Sequence, residues 1–304
     1  TPRRWWILPA GTAALAGCDR PVRRGFGSHI LEVVGLLKRI LIAIPALALL
    51  VSVIWLHGLY GKIVVALVGV LCVHEMMNAA SAVARPMRAV GYAFAVLLYP
   101  AYEFVGGQTG MAILLTVGVM TVFTILVFSG RSVVDGLFTV LPMAYPGLFF
   151  ASLLGIMCTP PVAESRFLLI IAFGSTIVTD SFAYFGGRLF GKHKLAEALS
   201  PKKTVEGAIC GTVFGAAAVL AFGATLQGTF GVHISPWVYL PLGLVLAVLA
   251  QVGDLSASSV KRRFGIKDFG WIMGPHGGAM DRLDSVLFVA PAVFAFYTII
   301  IKQG

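Results

Sequence analysis

Apolar runs long enough to cross a lipid bilayer recur along nearly the whole of this 304-residue chain. A helix needs about 17–25 residues to span the hydrocarbon core. Only 12% of the residues are charged and 58% are hydrophobic, a composition typical of membrane proteins. The predicted spans are 40–57, 61–83, 89–105, 110–128, 133–157, 166–186, 207–226, 236–256 and 283–301. The sequence therefore predicts an all-α polytopic membrane protein with about nine transmembrane helices.

The distribution of basic residues predicts the orientation of these spans. With the N-terminus in the cytoplasm, 20 of the 23 Lys and Arg residues lie on the cytoplasmic side. Such asymmetry is what the positive-inside rule requires. We expect a bacterial-type inner (cytoplasmic) membrane protein with a cytoplasmic N-terminus and an active site at the cytoplasmic face. The formal net charge of +10 then suits anionic lipid headgroups and phosphorylated substrates rather than a nucleic acid.

Charge also divides the chain into three predicted regions. Residues 1–39 form a basic N-terminal arm, and 40–157 hold apolar helices that we expect to act as a scaffold facing the lipid. Residues 158–304 hold a catalytic transmembrane region, because two polar cytoplasmic loops interrupt it at 187–206 and 257–282. Each of these loops follows a span that ends in an aspartate.

Four aspartates at the cytoplasmic ends of these spans are the candidate metal ligands: Asp180, Asp254, Asp281 and Asp284. Carboxylates that lie close together repel one another unless a cation lies between them. Ligand sets made only of oxygen favour Mg²⁺, which binds through one or two carboxylates and substrate phosphates. The sequence therefore predicts a magnesium site, and it leaves open whether a second cation binds there. Separate ion pairs with Lys or Arg, stabilising the loop ends, are the alternative.

The two polar loops contain residues suited to binding phosphate. The first loop carries four lysines between flexible glycines, namely Lys192, Lys194, Lys202 and Lys203. Glu206 follows them at the start of the next helix, where it would cap that helix or hold the lysines. The second loop contains His276-Gly277-Gly278, whose glycines allow a ligand to approach the backbone closely. Glu75 and Glu103 lie within apolar spans, where we expect helix–helix hydrogen bonds.

The second loop also carries a longer pattern. Ser258-x-Val260-Lys261-Arg262-x4-Lys267-Asp268-x-Gly270, followed by His276-Gly277-Gly278-x2-Asp281-Arg282-Leu283-Asp284, resembles the signature of phosphatidate cytidylyltransferases (CDP-diacylglycerol synthases). Upstream, Asp180-x2-Ala183-Tyr184 and Ser200-Pro201-Lys202-Lys203-Thr204-x-Glu206-Gly207 are similar to another block of that family. These matches cover about 166–301, whereas the first half resembles the family only in being apolar and multi-helical.

The resemblance implies the Mg²⁺-dependent reaction of CTP with phosphatidate to give CDP-diacylglycerol and pyrophosphate, a step of phospholipid biosynthesis. It implies CTP, phosphatidate and the lipid bilayer as partners, and leaves a homodimer open. In the family, the acids matching Asp254 and Asp281 hold the metal centre. The residues expected to act in catalysis are Asp254, Lys261, Arg262, Asp281 and Arg282. Those expected to bind substrate are Tyr184, Lys192, Lys202, Lys203, Thr204, Glu206, Lys267, His276, Gly277 and Gly278.

One departure from the family pattern keeps alternatives open. The family usually has a glutamate where Ala257 stands, one helical turn after Asp254. A diverged paralogue that uses another lipid acceptor is therefore an alternative, as is a non-catalytic membrane protein that binds lipid or nucleotide. A transporter would place its acidic residues near the bilayer midplane in both halves of the chain. The four aspartates instead lie at one interface and in the second half.

Overall fold

The computed structural model describes residues 44–302 except 273, 275 and 276. The predicted basic arm at 1–39 and the predicted substrate-binding residue His276 therefore lie outside the described residues. Ten α-helices make up most of this part of the chain. They are α1 (Ile44–Leu56), α2 (Gly58–Ala80), α3 (Arg88–Val105), α4 (Gln108–Ser129), α5 (Val133–Pro142), α6 (Phe149–Met157), α7 (Val162–Phe190), α8 (Val205–Leu226), α9 (Tyr239–Arg263) and α10 (Met280–Phe296).

Short segments of other secondary structure connect or extend these helices. A π-helical turn, Met143–Leu148, joins α5 to α6, and another, Tyr297–Ile301, continues α10. The 3₁₀ turns Gln227–Phe230 and Pro236–Val238 lie between α8 and α9. A two-stranded antiparallel sheet of β1 (Lys194–Ala196) and β2 (Ser200–Thr204) connects α7 to α8. This hairpin is a difference from the predicted all-α chain.

Seven helical stretches in the described residues are long and apolar enough to span a membrane. They correspond to α2, α4, α5 with α6, α7, α8, α9 and α10, which confirms a multi-pass helical architecture. The predicted ranges 40–57 and 89–105 are also helical over α1 and α3. Only 44–56 of α1 are described, and α3 is not among the seven. The predicted count of nine is therefore not confirmed.

Two helices extend further into the polar regions than predicted. Helix α7 continues to Phe190 and α9 to Arg263, beyond the predicted span ends at 186 and 256. Their last turns carry Arg188 and the triplet 261–263, and basic side chains stabilise the negative end of a helix dipole. The connecting segments are correspondingly shorter than the predicted loops. The last turns of α7 and α9 therefore contribute side chains to the polar end of the helix bundle.

Helices α7 and α8 pack closely against each other next to this polar end of the bundle. Three glycines at helical spacing, Gly207, Gly211 and Gly215, are buried on α8. A Cβ atom at Gly211 would lie 2.9 Å from both the Thr179 carbonyl oxygen and the Ala183 Cβ. Small residues let the backbones of membrane helices approach closely. The glycines therefore hold α8 directly against the turn of α7 that carries Asp180.

Candidate functional site

A cavity of about 740 Å³ lies where the polar ends of α7, α9 and α10 meet β2. Acidic and basic side chains line it together. The acidic residues are Asp180, Asp254, Asp268, Asp281 and Asp284, and the basic residues are Arg188, Lys202, Lys203, Lys261 and Arg282. Tyr184, Ser200, Thr204, Gln251 and Ser285 are among the remaining lining residues. Three long helices and a strand thus bring residues more than 100 positions apart in the chain to one site.

Three of the aspartates carry carboxylates that repel one another. Asp180 comes from α7, Asp254 from α9 and Asp284 from the first turns of α10. The Asp254 carboxylate repels those of both Asp180 and Asp284, and the latter two also repel each other. The Lys203 ammonium lies 2.5 Å from Asp254 Oδ2 and partly compensates this negative charge.

Asp281 is held by a different set of contacts. Its Oδ1 accepts a hydrogen bond from Lys261 Nζ at 2.7 Å. Its Oδ2 accepts from the backbone N–H groups of Phe269 and Gly278, at 2.8 and 3.0 Å. The side chain is only 4% exposed. Asp281 therefore anchors the segment between α9 and α10 while it fixes Lys261 at the cavity wall.

The oxygen-rich donors suit a hard divalent cation, although they are not assembled around a single point. Among the described residues, no three His, Cys, Asp or Glu side chains form a group that could hold a metal ion. The donors at Asp180, Asp254 and Asp284 are all carboxylate oxygens, the ligand type that Mg²⁺ prefers. Asp254 pairs with Lys203 and Asp281 pairs with Lys261, which is the ion-pair arrangement that the sequence left open as the alternative. The chemistry of the donors fits a bound cation, whereas their arrangement in this structure is that of ion pairs.

A second, apolar groove of about 400 Å³ adjoins the polar cavity. It lies between α8 and α9, and Leu195, Ala208 and Gln251 line both spaces. Gln251 Nε2 donates to the Ala208 carbonyl oxygen at 3.3 Å and to Thr212 Oγ1 at 3.0 Å. A continuous surface therefore leads from charged side chains to an apolar wall.

Comparison of the sequence with those of known proteins identifies the family of this chain. The sequence model of the cytidylyltransferase family matches residues 37–300. The chain belongs to the cytidylyltransferase family. The phosphatidate cytidylyltransferase of Staphylococcus epidermidis is 31% identical over 257 residues, which cover 83% of this chain and 95% of that protein. That of Staphylococcus aureus strain COL is also 31% identical over 257 residues. That of Staphylococcus saprophyticus is 36% identical over 169 residues, which cover 56% of this chain and 62% of that protein.

Most of the predicted site residues of this cytidylyltransferase-family member lie together. The cavity is lined by ten of them, namely Asp180, Tyr184, Lys202, Lys203, Thr204, Asp254, Lys261, Asp281, Arg282 and Asp284. Thr204 also caps α8, because its side chain accepts a hydrogen bond from the Gly207 N–H at 3.2 Å. Gly277 has a φ of 81°, and its backbone lies directly against the Asp281 carboxylate. Gly278 donates its N–H to the same carboxylate. Both glycines therefore support Asp281 on the side away from the cavity.

Four other predicted residues of the family member lie outside the cavity lining. Lys192 and Glu206 are joined by a hydrogen bond of 3.0 Å from the Lys192 N–H to Glu206 Oε2. Glu206 also accepts from His193 Nδ1 at 2.6 Å, which ties the start of the hairpin to α8. Arg262 is exposed and donates to the Leu199 and Ile266 carbonyl oxygens, each at 3.4 Å. Lys267 is exposed.

Nine lining residues were not among the predicted site residues, and three of these nine are polar residues outside the quoted family pattern. Arg188 lies one turn after Tyr184 on α7, and its Nη1 donates to the Tyr184 hydroxyl at 3.4 Å. Gln251 precedes Asp254 by three positions, and Ser285 follows Asp284. The helical spacing of Arg188 and Gln251 from predicted residues was a usable signal, because positions three or four apart share a helix face.

Ala257, which differs from the family pattern, lies away from the cavity. It is fully buried in an apolar cluster that also contains Met76, Phe264, Phe269 and Met280. A carboxylate would be costly in such surroundings without a partner. The alanine therefore suits this apolar environment.

Proposed function

We propose that this protein transfers the cytidylyl group of CTP to phosphatidate, forming CDP-diacylglycerol and pyrophosphate. The observation that carries the proposal is a single cavity that combines carboxylates with basic side chains and adjoins an apolar groove. A nucleotide with three phosphates and a charged lipid headgroup need such a mixed site. Relatives that cover most of this chain carry the name phosphatidate cytidylyltransferase, which supports the same reaction.

The reaction requires charge neutralisation and alignment rather than a protein nucleophile. A phosphate oxygen of phosphatidate forms a bond to the α-phosphorus of CTP. The bond from that phosphorus to the α,β-bridging oxygen breaks, and pyrophosphate leaves with the electron pair. Lys202, Lys203, Arg188 and Arg282 lie in the cavity, where they stabilise the negative charge that develops on the phosphates. Lys261, held by Asp281, adds a fixed positive charge.

A divalent cation, Mg²⁺, is part of the proposal. Asp180, Asp254 and Asp284 are its predicted ligands, and one or two of these carboxylates would bind it together with oxygens of the substrate phosphates. Asp281 stays a predicted fourth ligand that already accepts three hydrogen bonds. When bound, Mg²⁺ neutralises phosphate charge and increases the electrophilicity of the α-phosphorus. The mutual repulsion of the three carboxylates supports a cation at this position.

The location of the site relative to the membrane completes the proposal. Phosphatidate acyl chains would lie against the apolar groove, whose exposed Ile209, Val213 and Val252 suit lipid. Nine spans with a cytoplasmic N-terminus would place the cavity at the cytoplasmic face of the inner membrane, where CTP is available. The excess of basic residues in cytoplasmic segments supports this orientation. A homodimer stays a prediction.

The test uses the purified full-length protein in phospholipid vesicles with radiolabelled CTP, phosphatidate and Mg²⁺. We expect labelled CDP-lipid and pyrophosphate in equal amounts. Asp254→Asn should reduce the rate by about 100-fold or more, because it removes charge from the coupled acids. Lys302→Met, a substitution at an exposed position that follows the π-helical turn after α10, is the matched control. Absence of CDP-lipid from the wild-type protein would contradict the proposal, as would product formation from another lipid alone.

Removal of divalent cations tests the metal separately. Treatment with a chelator should abolish product formation, and added Mg²⁺ should restore it. The Mg²⁺ concentration for half-maximal rate should rise about tenfold or more in Asp284→Asn, because the variant loses an anionic ligand. Full activity in the chelator would overturn the metal proposal and leave the transfer reaction standing.

A further inference from the structure

Glu75 on α2 is a buried carboxylate that lies outside the cavity lining. Its exposed fraction is 2%, and it lies beside the buried residues Cys72 and Met76 on the same helix. Burying a carboxylate is unfavourable unless hydrogen bonds compensate the lost hydration. The hydrogen-bond partners of Glu75 therefore indicate why α2 carries a buried carboxylate.

Both oxygens of Glu75 accept hydrogen bonds from the start of α10. Oε1 accepts from the Ala279 N–H at 3.0 Å, and Oε2 from the Met280 N–H at 2.9 Å. The first N–H groups of a helix have no partner within the helix and attract negative charge. Ala279, at the N-cap position of α10, provides no side-chain cap. Glu75 supplies the missing cap from more than 200 residues earlier in the sequence.

The same carboxylate also lies between two glycines of the segment that connects α9 to α10. A Cβ atom at Gly270 would lie 2.3 Å from Glu75 Oε1, and one at Gly278 would lie 2.4 Å from Oε2. The backbone can approach the carboxylate this closely only because these positions lack side chains. Glu75 thus contacts this segment at two points, Gly270 and Gly278.

That segment also carries the contacts of Asp281. Phe269 and Gly278 donate their N–H groups to Asp281 Oδ2. Glu75 and Asp281 therefore bind neighbouring parts of the same backbone, Glu75 in the protein interior and Asp281 at the cavity wall. Displacement of the start of α10 would move Asp281, Arg282 and Asp284 together, because all three lie in the first two turns of that helix.

We propose that Glu75 is a positioning residue of the reaction, which holds the start of α10 so that its charged residues face the substrates. The inference rests on the proposed function, because the reaction provides its kinetic readout. It assigns to the first half of the chain a direct part in shaping the active site. Glu75 does not line the cavity, so it acts through the placement of Asp281, Arg282 and Asp284.

The first test compares Glu75→Ala and Glu75→Gln with wild-type protein. We expect Glu75→Ala to lower kcat by about 100-fold, because a displacement of about 1 Å at a reacting site has that effect. The KM for CTP should change by less than about threefold. Glu75→Gln keeps the shape of the side chain and one acceptor oxygen, so its kcat should lie between that of the wild-type protein and that of Glu75→Ala. A merely structural role would lower the yield of folded protein and leave kcat of the folded fraction unchanged, and this result would overturn the proposal.

A double-mutant cycle tests the contact itself. The three atoms nearest to a Cβ at Gly270 all belong to Glu75. Gly270→Ala should therefore lower kcat about tenfold or more in the wild-type background but cause no further loss in Glu75→Ala, where the clash is absent. Gly228→Ala is the matched control, because a Cβ at Gly228 meets nothing within 4 Å. Additive losses in the double variant would overturn the proposal.

A measurement that needs no activity separates this inference from the proposed function. Amide hydrogen exchange at Ala279 and Met280 should be faster in Glu75→Ala by at least about tenfold, because both N–H groups lose their acceptors. If the wild-type protein makes no CDP-lipid, the proposed function fails, and the exchange rates still decide whether Glu75 holds α10. An active wild-type protein with unchanged exchange in Glu75→Ala would contradict the role of Glu75 alone.

Discussion

At the scale of single residues, the site depends on paired charges rather than on isolated ones. Lys203 pairs with Asp254, and Lys261 pairs with Asp281. Both lysines lie on the cavity wall, so each is available to a substrate phosphate while its partner carboxylate limits the local net charge. Substrate phosphates and the aspartates therefore compete for the same lysines. In the empty cavity the lysines pair with carboxylates, and in the occupied cavity phosphates share them.

The Lys261–Asp281 pair gives a prediction for Lys261→Met. The two side chains are 12% and 4% exposed, so the substitution leaves a buried carboxylate without its ionic partner. We expect the free energy of unfolding to fall by about 3 kcal/mol or more. We also expect the transfer rate to fall by at least about 100-fold, since a fixed positive charge is lost. Thermal unfolding and the CTP assay measure these effects. A rate equal to that of Lys302→Met would contradict the prediction.

At the scale of elements, the close approach of α7 and α8 determines how Asp180 and Lys203 are placed relative to each other in the cavity wall. The two helices are joined by the β1–β2 hairpin, and Thr204 ends β2 and caps α8. Lys203 precedes that cap, so its position follows directly from the start of α8. Any change in the distance between α7 and α8 should therefore move Lys203 relative to Asp180 and Asp254.

Gly211→Val tests this packing. The valine Cβ would lie 2.9 Å from the Thr179 carbonyl oxygen, a backbone atom that can move only with α7. We expect the variant to lose about 1–3 kcal/mol of stability, as overpacked sites do, and to lose most transfer activity. Gly228→Ala should match the wild type in both measurements, since its Cβ meets no atom within 4 Å. Equal melting temperatures for the two variants would show that the contact is not tight.

The junction between cavity and groove gives a second prediction at this scale. Ala208 lines both spaces, so Ala208→Leu should narrow the passage between them. We expect the KM for long-chain phosphatidate to rise about tenfold, the equivalent of about 1.4 kcal/mol. The KM for CTP and the KM for a short-chain phosphatidate are the matched controls and should change little. A parallel rise in the KM for CTP would place the nucleotide rather than the lipid at this junction.

At the scale of the whole molecule, the charged cavity lies at one end of the helix bundle. The hairpin and the segment between α9 and α10 lie there, whereas the 3₁₀ turns between α8 and α9 lie at the opposite ends of those helices. The basic residues concentrate at the cavity end, so the orientation proposed from charge can be tested with one residue from each end.

Accessibility of single cysteines measures this orientation. Lys194→Cys and Gly228→Cys, each made in a background with the four native cysteines replaced, place a thiol at opposite ends of α8. In right-side-out vesicles, a membrane-impermeant maleimide should label Gly228→Cys only. In inverted vesicles it should label Lys194→Cys only, because the positive-inside rule places the hairpin in the cytoplasm. The reverse pattern would overturn the proposed orientation, and labelling of both residues from one side would contradict the span assignment.

Several features of the fold and site could be predicted from local sequence. The apolar runs predicted the helices that the structure contains, because span length is a property of contiguous residues. The predicted ends were less accurate at α7 and α9, where the helices continue through polar residues stabilised by the helix dipole. The hairpin was not predicted, because its two short strands carry no clear alternation of polar and apolar residues.

The sequence by itself determined the membrane class, the chemical character of the site and most of the residues that line it. Composition, run length and motif spacing are local properties, so they can be read without coordinates. Only the tertiary structure decided that a fifth carboxylate, Asp268, also lines the cavity and which lysine pairs with which aspartate. It also showed that Glu75 caps α10 across more than 200 residues. The physical reason is that these contacts depend on helix packing, and sequence separation carries no information about which helix faces meet.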